Sequence, residues 1–546
     1  MDQTLTSLVV TSSTTLQDIL KKFESSKFDL ILIDQTSVIA QPHLDLLSDY
    51  PRSVSAALVA KIKKGDTFIR QNRVASASSE SHQVTFSNSY FLGALRLSQQ
   101  QRDEIIEALS RASSYNLPGN ALDLALVALV RATIEVSAAS VWAAPYTRTT
   151  NETERNRVKE EIDLLKPDNI RLQMANRSND GFFSVFVLRK FSKLITKLAV
   201  KIHITPNQVT TLSLGIGLYS AYLFARGSFW SILMGALVFQ LSIIIDCVDG
   251  ELARYTRRFS ELGRWLDAVT DRVKEYMALL GLAYGAWGTG KDLWLLATVV
   301  MMVQTVRHLS DYNFTYLSNI TMKETFKTTI NFTDKFDGII KTERDPREGV
   351  RYWLSKIIQF PIGERWLVIS VTSVIGGALL TFISMLFFAF ISALVVIRGR
   401  FKLSNKLIKN QLKTNLISDQ SDLLTTKKSL LIRFNWLEPS LLRIIEFVMI
   451  LILVTWKDLI GIEVFIILFS ICFHHYDNLY RAMQENKKPD WLKCLGLWVE
   501  GRILIIGLIV MAGWSLWWLA WYFGLLFLGI SSIQWVIYRH TNKVRQ

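Results

Sequence analysis

Residues 246–271 read DCVDGELARYTRRFSELGRWLDAVTD, and this stretch decides how the rest of the chain is understood. It joins two long apolar runs, yet carries four carboxylates: Asp246, Asp249, Asp267 and Asp271. The first two are three positions apart and the last two four apart, spacings that put each pair on one face of a helix. Two such helix ends facing each other concentrate four negative charges in a small volume beside lipid, which repel unless neutralised. Pairing with Arg254, Arg257, Arg258 or Arg272 answers one isolated Asp. Four at paired spacing, with the small residues Gly250, Ala253 and Gly263 among them, point to one or two divalent cations with room for a ligand alongside. An all-oxygen donor set favours Mg²⁺ or Mn²⁺, ions that commonly hold phosphate substrates.

Outward from this stretch the chain divides by composition. Half of its 546 residues are hydrophobic, and from about residue 205 they gather in long runs that compare with the ~20 residues needed to cross a bilayer. Helices are expected near 207–226, 229–252, 263–287, 292–316, 364–378, 379–397, 440–456, 461–474, 497–513 and 515–538. The loops after the first, third and fifth are short (ARGS, GTGKD and the Gly376-Gly377 pair), while 323–356 and 398–433 are long and basic. The positive-inside rule then places both termini and the even loops in the cytoplasm of a multi-pass cell-membrane protein. The formal net charge of +15 sits in segments flanking apolar runs, which argues for anionic lipid surfaces and against nucleic acid as partner. Three cysteines form neither a metal spacing nor a disulfide framework, and MDQTLTSLVV has no signal-peptide pattern.

Residues 1–150 read as a soluble α/β domain. FDLILID (28–34), SAALVA (55–60) and YFLGALRL (90–97) have strand character, and 99–113 and 119–134 have helical spacing. The stretch 151–205 is a charged connector followed by a basic amphipathic segment, FFSVFVLRKFSKLITKLAVKI (182–202), suited to a lipid interface or, alternatively, to the surface of a soluble domain. A membrane core at 206–400, a basic linker at 401–435 and a C-terminal membrane region at 436–546 complete the organisation.

The quoted stretch matches D-x2-D-G-x2-A-R-x8-G-x3-D-x3-D at all eight fixed positions, and so resembles the signature of the CDP-alcohol phosphotransferase (CDP-alcohol phosphatidyltransferase class I) family. DGFFSVFVLRKFSKLITKLAVKIHITPNQVT (180–210) before it resembles the start of family members akin to archaeal inositol-phosphate-transferring enzymes. The resemblance covers about residues 178–400 and implies a six-helix core. It also implies metal-dependent transfer of a phosphoalcohol from a CDP-alcohol donor to an alcohol or lipid acceptor, with release of CMP. Carried over, it makes Asp246, Asp249 and Asp267 metal ligands and Asp271 both ligand and general base. Gly250 and Ala253 leave room for the cytidine nucleotide, Arg254 holds its phosphates, and Ser260 lies near the nucleotide. Homodimerisation is likewise a family habit.

A CDP-diacylglycerol-dependent phospholipid synthase would share the same signature. A non-catalytic scaffold or cation transporter is a different class; transporters place charge near the midplane and carry inverted repeats, whereas these acids lie at helix ends and no repeat is evident.

Other residues carry lesser expectations. Pro206 can begin the first span, with Asn207 and Thr210 as polar groups at its cytoplasmic end; a simple N-cap is nearly as good a reading of Asn207. Arg307, Arg398 and Arg400 read as snorkelling anchors, with an acceptor phosphate as second reading. His474, His475 and Asp477 read as a capped helix end, and Trp498, Glu500 and Arg502 as a buried ion pair. The first domain resembles the second half of a nucleotidyltransferase fold, but it lacks a Gly-rich basic loop, and Asp34 is followed by Gln35-Thr36 instead of a second acid. It is therefore expected to be degenerate, kept for docking or regulation.

Overall fold

The computed structural model describes residues 5–49, 54–62, 65–70, 72–175, 180–329, 349–415, 436–483 and 489–543. They form two units, Met1–Asn176 and Arg177–Gln546.

The first unit holds strands β1 (Leu5–Val10), β2 (Asp29–Asp34), β3 (Ser37–Ile39), β4 (Ser55–Lys61), β5 (Thr67–Arg70), β6 (Arg73–Ala77), β7 (Ser89–Leu97), β8 (Val136–Ser140) and β9 (Tyr146–Arg148). Its helices are α1 (Leu16–Ser25), α2 (Gln41–Asp49), α3 (Arg102–Ser114), α4 (Ala121–Arg131), α5 (Glu152–Leu164) and α6 (Pro167–Met174). Seven strands make a sheet of order β1-β2-β7-β4-β8-β6-β5, and β3 pairs with β9. Alternation along β4 explains the layering: Ala57 and Val59 join the core beneath α1, α3 and α4, while Ala56, Leu58 and Ala60 face Leu47 of α2. The charged stretch after residue 150 is helical, and α5 and α6 belong to this unit.

The second unit is helical: α7 (Arg189–Lys201), α8 (Pro206–Ala225), α9 (Phe229–Thr256), α10 (Glu261–Gly288), α11 (Trp294–Thr329), α12 (Val350–Ile358) and α13 (Ile362–Asn415). There follow α14 (Glu438–Trp456), α15 (Ile462–Met483), α16 (Asp490–Leu495), α17 (Val499–Ala512), α18 (Trp517–Phe523) and α19 (Ser531–Lys543), the last two joined by a wide turn at Gly524–Ile530. Each apolar run predicted as a span is helical. The fifth and sixth lie in α13, which breaks where Gly376 has φ −139° and Gly377 φ +67°, ψ −160°, a conformation open to glycine. The basic loop 323–356 and the linker 401–435 fall largely outside the described residues.

Among the described residues, five helical stretches are long and apolar enough to cross a membrane: Phe229–Thr256, Ile362–Asn405, Glu438–Trp456, Ile462–Ala482 and Trp517–Ile537. Large apolar side chains such as Leu237, Phe387, Phe390, Leu504 and Leu525 point outward on the bundle surface. A water-soluble protein does not expose so much contiguous apolar surface, so the unit is that of a membrane protein. Helix α10 is as long as α9, but Asp267, Asp271, Arg272, Lys274 and Glu275 interrupt its apolar run.

The amphipathic segment turns its apolar side outward. Its buried stripe on α7 is polar: Arg189, Ser192 and Thr196, with Ala199. Its apolar stripe, Phe191, Leu194, Leu198 and Ile202, is exposed beside Lys190, Lys197 and Lys201. A soluble amphipathic helix buries the opposite face. The polar stripe meets Glu251 of α9, fully buried, whose carboxylate accepts from Arg189 Nη1, Ser192 Oγ and Thr196 Oγ1, each at 2.7 Å.

Candidate active site

The site lies where α8, α9 and α10 meet. Helix α8 starts with a capping box: Gln208 N donates to Thr205 Oγ1, Gln208 Oε1 accepts from Thr205 N at 2.9 Å, and Pro206 takes the first turn. Thr205 is thus the N-cap and Pro206 begins the helix as expected, which sets aside the lesser reading of Asn207 as a cap. That frees Asn207 to face α10: a Cβ on Gly263 would lie 2.9 Å from Asn207 Oδ1 and from Ser260 Oγ. Ser260 is itself the N-cap of α10 and accepts from Gly263 N at 2.9 Å. The signature glycine is therefore where two helix starts touch.

Helix α9 delivers Asp246 and Asp249, and α10 delivers Asp267 and Asp271. Carboxylate oxygens of Asp246, Asp267 and Asp271 all lie within 4.8 Å of one another. Asp249 stands outside that trio; it is buried and accepts a short hydrogen bond from Thr210 Oγ1 of α8. Ser213, one turn further along α8, donates to Asp246 Oδ1 at 3.2 Å and to the Ser242 carbonyl at 3.0 Å. Downstream of the trio on α9, Gly250 gives room to Arg254, whose Nη1 would be 3.1 Å from a Cβ there, and Ala253 is half-buried.

Sequence reasoning missed one residue at the centre of this arrangement. Lys274 is fully buried, and its Nζ donates to Asp246 Oδ1 in a short contact, to Ser213 Oγ at 2.9 Å, and lies 3.2 Å from Asp271 Oδ1. It reaches there by crossing Gly217 of α8, where a Cβ would come within 2.6 Å of Lys274 Cγ, and it lies 5.1 Å from the Trp366 ring centroid. The available signal was a lysine three positions after Asp271 and deep inside an apolar run, too far from either end to snorkel.

The remaining expected residues are placed as follows. Arg307 Nη2 donates to the carbonyls of Gln359 and Phe360, and Arg400 pairs with Ser310 and Asp311 while its guanidinium lies 5.5 Å from the Trp436 ring. Both tie helices together instead of snorkelling, whereas Arg398 is exposed. His474, His475 and Asp477 lie inside α15 and are buried, so they cap nothing. Glu500 is exposed, and the partner of Arg502 is Glu446 of α14, at 2.6 Å, which His475 Nε2 also reaches at 2.8 Å. Spacing cannot find pairs between helices so far apart in sequence.

In the first unit Asp34 and Asp123 share Arg148. Its Nε and Nη2 donate to Asp34 Oδ2 at 3.0 and 2.7 Å, its Nη1 to Asp123 Oδ1 at 2.7 Å, and its Nη2 to Asp123 Oδ2 at 3.1 Å. Burial works against the Asp34 charge, but the Thr36 N–H and Arg148 hold its carboxyl below the ordinary range, while burial raises Asp123.

Long apolar helices that bring together a carboxylate trio able to hold a metal ion are those of a membrane protein. Residues 203–333 match the family model of CDP-alcohol phosphatidyltransferase, and residues 385–544 match that of a family of unknown function (DUF5941). The chain is 31% identical over 137 residues to a bifunctional IPC transferase and DIPP synthase of Archaeoglobus fulgidus, 25% of this chain and 27% of that protein. It is 35% identical over 91 residues to an archaetidylinositol phosphate synthase of Pyrococcus horikoshii, 17% of this chain and 47% of that protein. To a phosphatidylinositol phosphate synthase of Mycolicibacterium smegmatis it is 29% identical over 116 residues, 21% of this chain and 51% of that protein. The matches thus span between about a quarter and a half of the relatives' lengths. The signature thus lies inside the matched segment, and residues 203–333 of this chain are similar to the CDP-alcohol phosphatidyltransferase family.

Proposed function

We propose that the chain transfers a phosphoalcohol from a CDP-alcohol to an acceptor hydroxyl and releases CMP, in inositol-phospholipid-type synthesis. The observation that carries this is the carboxylate trio within 4.8 Å, inside the segment that matches the family. The donor set is all oxygen and converges from two helices, which fits Mg²⁺ or Mn²⁺, one ion or a pair. Asp246, Asp267 and Asp271 would hold the ion, with Asp249 closing the set after giving up Thr210. A bound ion would supply charge neutralisation at the pyrophosphate and stabilise CMP as leaving group.

This chain's residues do the rest. Asp271 accepts the proton of the acceptor hydroxyl as that oxygen bonds to phosphorus and the bond to the CMP oxygen breaks. Lys274 holds the Asp271 and Asp246 carboxylates close together, since its ammonium contacts both. Arg254 binds donor phosphate, with the small Gly250 and Ala253 leaving the cytidine its space. Ser260 acts by fixing the start of α10. The names of the relatives favour an inositol phosphate or a membrane lipid as acceptor; a CDP-diacylglycerol donor is compatible with the same residues.

We place the first unit outside the chemistry. Arg148 fills the space between Asp34 and Asp123, so the domain serves docking or regulation. The α7 stripe supports a site open to the lipid boundary on the cytoplasmic side. The deciding experiment is CMP release by the purified full chain in detergent, with Mg²⁺ or Mn²⁺ and a panel of CDP-alcohols and acceptors. Release that needs metal and a single substrate pair is expected. Absence of both CDP-alcohol binding and CMP release in folded protein would overturn the proposal.

A further inference from the structure

On α10 the residues of the cluster, Asp267, Asp271 and Lys274, follow at intervals of four and three and form one stripe. Trp265, Arg272 and Tyr276 follow at intervals of seven and four and form another, roughly half a turn around the helix. The first stripe faces α8 and α9. The second is covered by α15, in the region that matches a family of unknown function.

The contacts there are polar and specific. Trp265 Nε1 donates to Asp477 Oδ1 at 3.2 Å, and both groups are buried. Tyr476 Oη lies 3.3 Å from Tyr276 Oη and 2.9 Å from His308 Nδ1, and its ring lies 6.0 Å from the Arg272 guanidinium. Asp477 is held from behind: Arg481 Nε lies 3.0 and 3.1 Å from its two oxygens, and Ser531 Oγ donates at 2.7 Å. Apolar packing would join two membrane helices at less cost than a desolvated carboxylate does. A carboxylate and a phenol placed against Trp265, two residues before Asp267, and Arg272, next after Asp271, fix the rotation of α10 where it matters. A carboxylate about 6 Å from the helix axis moves about 2 Å for a 20° rotation. Displacements of that size are costly to catalysis.

We infer that the C-terminal bundle is a positioning device for the acidic cluster. Asp477 and Tyr476 set the rotation and depth of α10, and through it the approach of Asp267 and Asp271 to Asp246. They are positioning residues and touch no substrate. This rests on the cluster's reading as a metal and phosphotransfer site.

The test uses the full chain in detergent with three conservative variants: Trp265→Phe, Tyr476→Phe and the double. A fourth, Tyr480→Phe, removes an α15 hydrogen bond of 2.7 Å that goes to Tyr312 of α11 instead of α10. Free Mn²⁺ is titrated by its electron paramagnetic resonance signal, and kcat and KM for CMP release and thermal midpoints are measured alongside. Expected is a Mn²⁺ dissociation constant raised about tenfold or more in the double variant, as loss of groups orienting metal ligands generally costs. kcat should fall while donor KM changes little, and Tyr480→Phe should match wild type in both. Lower thermal midpoints with unchanged Mn²⁺ affinity and kcat would overturn the inference, leaving the bundle a structural support. If the double variant does not fold, the single variants decide by the same measurements. Wild-type protein that binds no Mn²⁺ and releases no CMP would instead sink the reading of the cluster, a distinguishable result.

Discussion

Among the described residues two partly buried carboxylate clusters end in opposite states. In the first unit Asp34 and Asp123 meet one guanidinium through four hydrogen bonds, which close the geometry and leave a single net negative charge. In the membrane unit Asp246, Asp267 and Asp271 converge within 4.8 Å, and the ammonium of Lys274 reaches two of them. A planar fork satisfies two carboxylates at fixed angles, whereas an ammonium on a flexible stem is a point charge that leaves carboxylate lone pairs available. The difference teaches that an acidic cluster can take a further ligand only through what its internal cation leaves unsatisfied, which is what the proposed site requires.

The strongest way to break this comparison is to neutralise one acid in each cluster. Asp271→Asn should lower CMP release by at least about a thousandfold, since it removes the proposed base together with a ligand. Asp123→Asn should leave kcat and KM unchanged. If both substitutions abolish turnover in folded protein, the first unit takes part in the chemistry and the contrast fails.

Removing the two cations comes next. Arg148→Met leaves two buried carboxylates uncompensated, and loss of one partner of such a pair typically costs about 3–5 kcal/mol. The first unit should therefore open far more readily, read as faster amide exchange in β2 and α4, with CMP release intact. Lys274→Met should instead act on the cluster: the metal-free protein loses thermal stability, and added Mg²⁺ restores more of it than in wild type. An equal Mg²⁺ response in both variants would erase the distinction.

A smaller effect tests how Lys274 gets there. Gly217→Ala puts a Cβ within 2.6 Å of Lys274 Cγ and 2.9 Å of Cδ, so the lysine stem must move. Overpacking of this kind costs about 1–3 kcal/mol. Turnover should fall several-fold, and Gly217→Ala combined with Lys274→Met should be no worse than Lys274→Met alone. Additive losses would show that Gly217 serves helix packing and not the lysine's path.

Much of this was legible because local spacing carries it. Asp246, Asp267 and Asp271 were readable since three- and four-residue intervals place carboxylates on one face, and the Gly376-Gly377 break since few other dipeptides turn a helix so tightly. Strands β2, β4 and β7 were readable as continuous apolar runs. β1, β5, β6 and β8 were not, because LTSLVV, TFIR, RVASA and VSAAS are short or mixed and owe their strand state to neighbours in the sheet. Lys274, Glu251 and the Glu446–Arg502 pair escaped for a different reason. Each takes its role from a partner dozens of residues away: Lys274 from Asp246, Glu251 from Arg189 and Glu446 from Arg502.

The least effect sharpens the contrast from the edge of the first unit. His43 of α2 has no exposed surface, and neither ring nitrogen has a hydrogen-bond partner among the described residues. Burial lowers its pKa to about 4, so the folded domain keeps it neutral where the unfolded chain, with the usual value near 6.5, binds a proton. Unfolding then takes up a proton between those values, and stability falls as pH drops from about 6.5 toward about 4, by at most about 1.4 kcal/mol per unit. Asp66 and Asp123, both raised by burial, work in the opposite sense, since their protonation relieves the cost of burying charge. Comparing wild type with His43→Leu isolates the histidine, because the carboxylates are common to both. Protection of the β4 and β7 amides in the full chain, taken relative to the intrinsic exchange rate at each pH, should fall on acidification in wild type and do so less in the variant. Identical pH profiles would mean that the histidine finds its proton in the folded domain as well, and that this unit is less closed than its arginine-locked carboxylates imply.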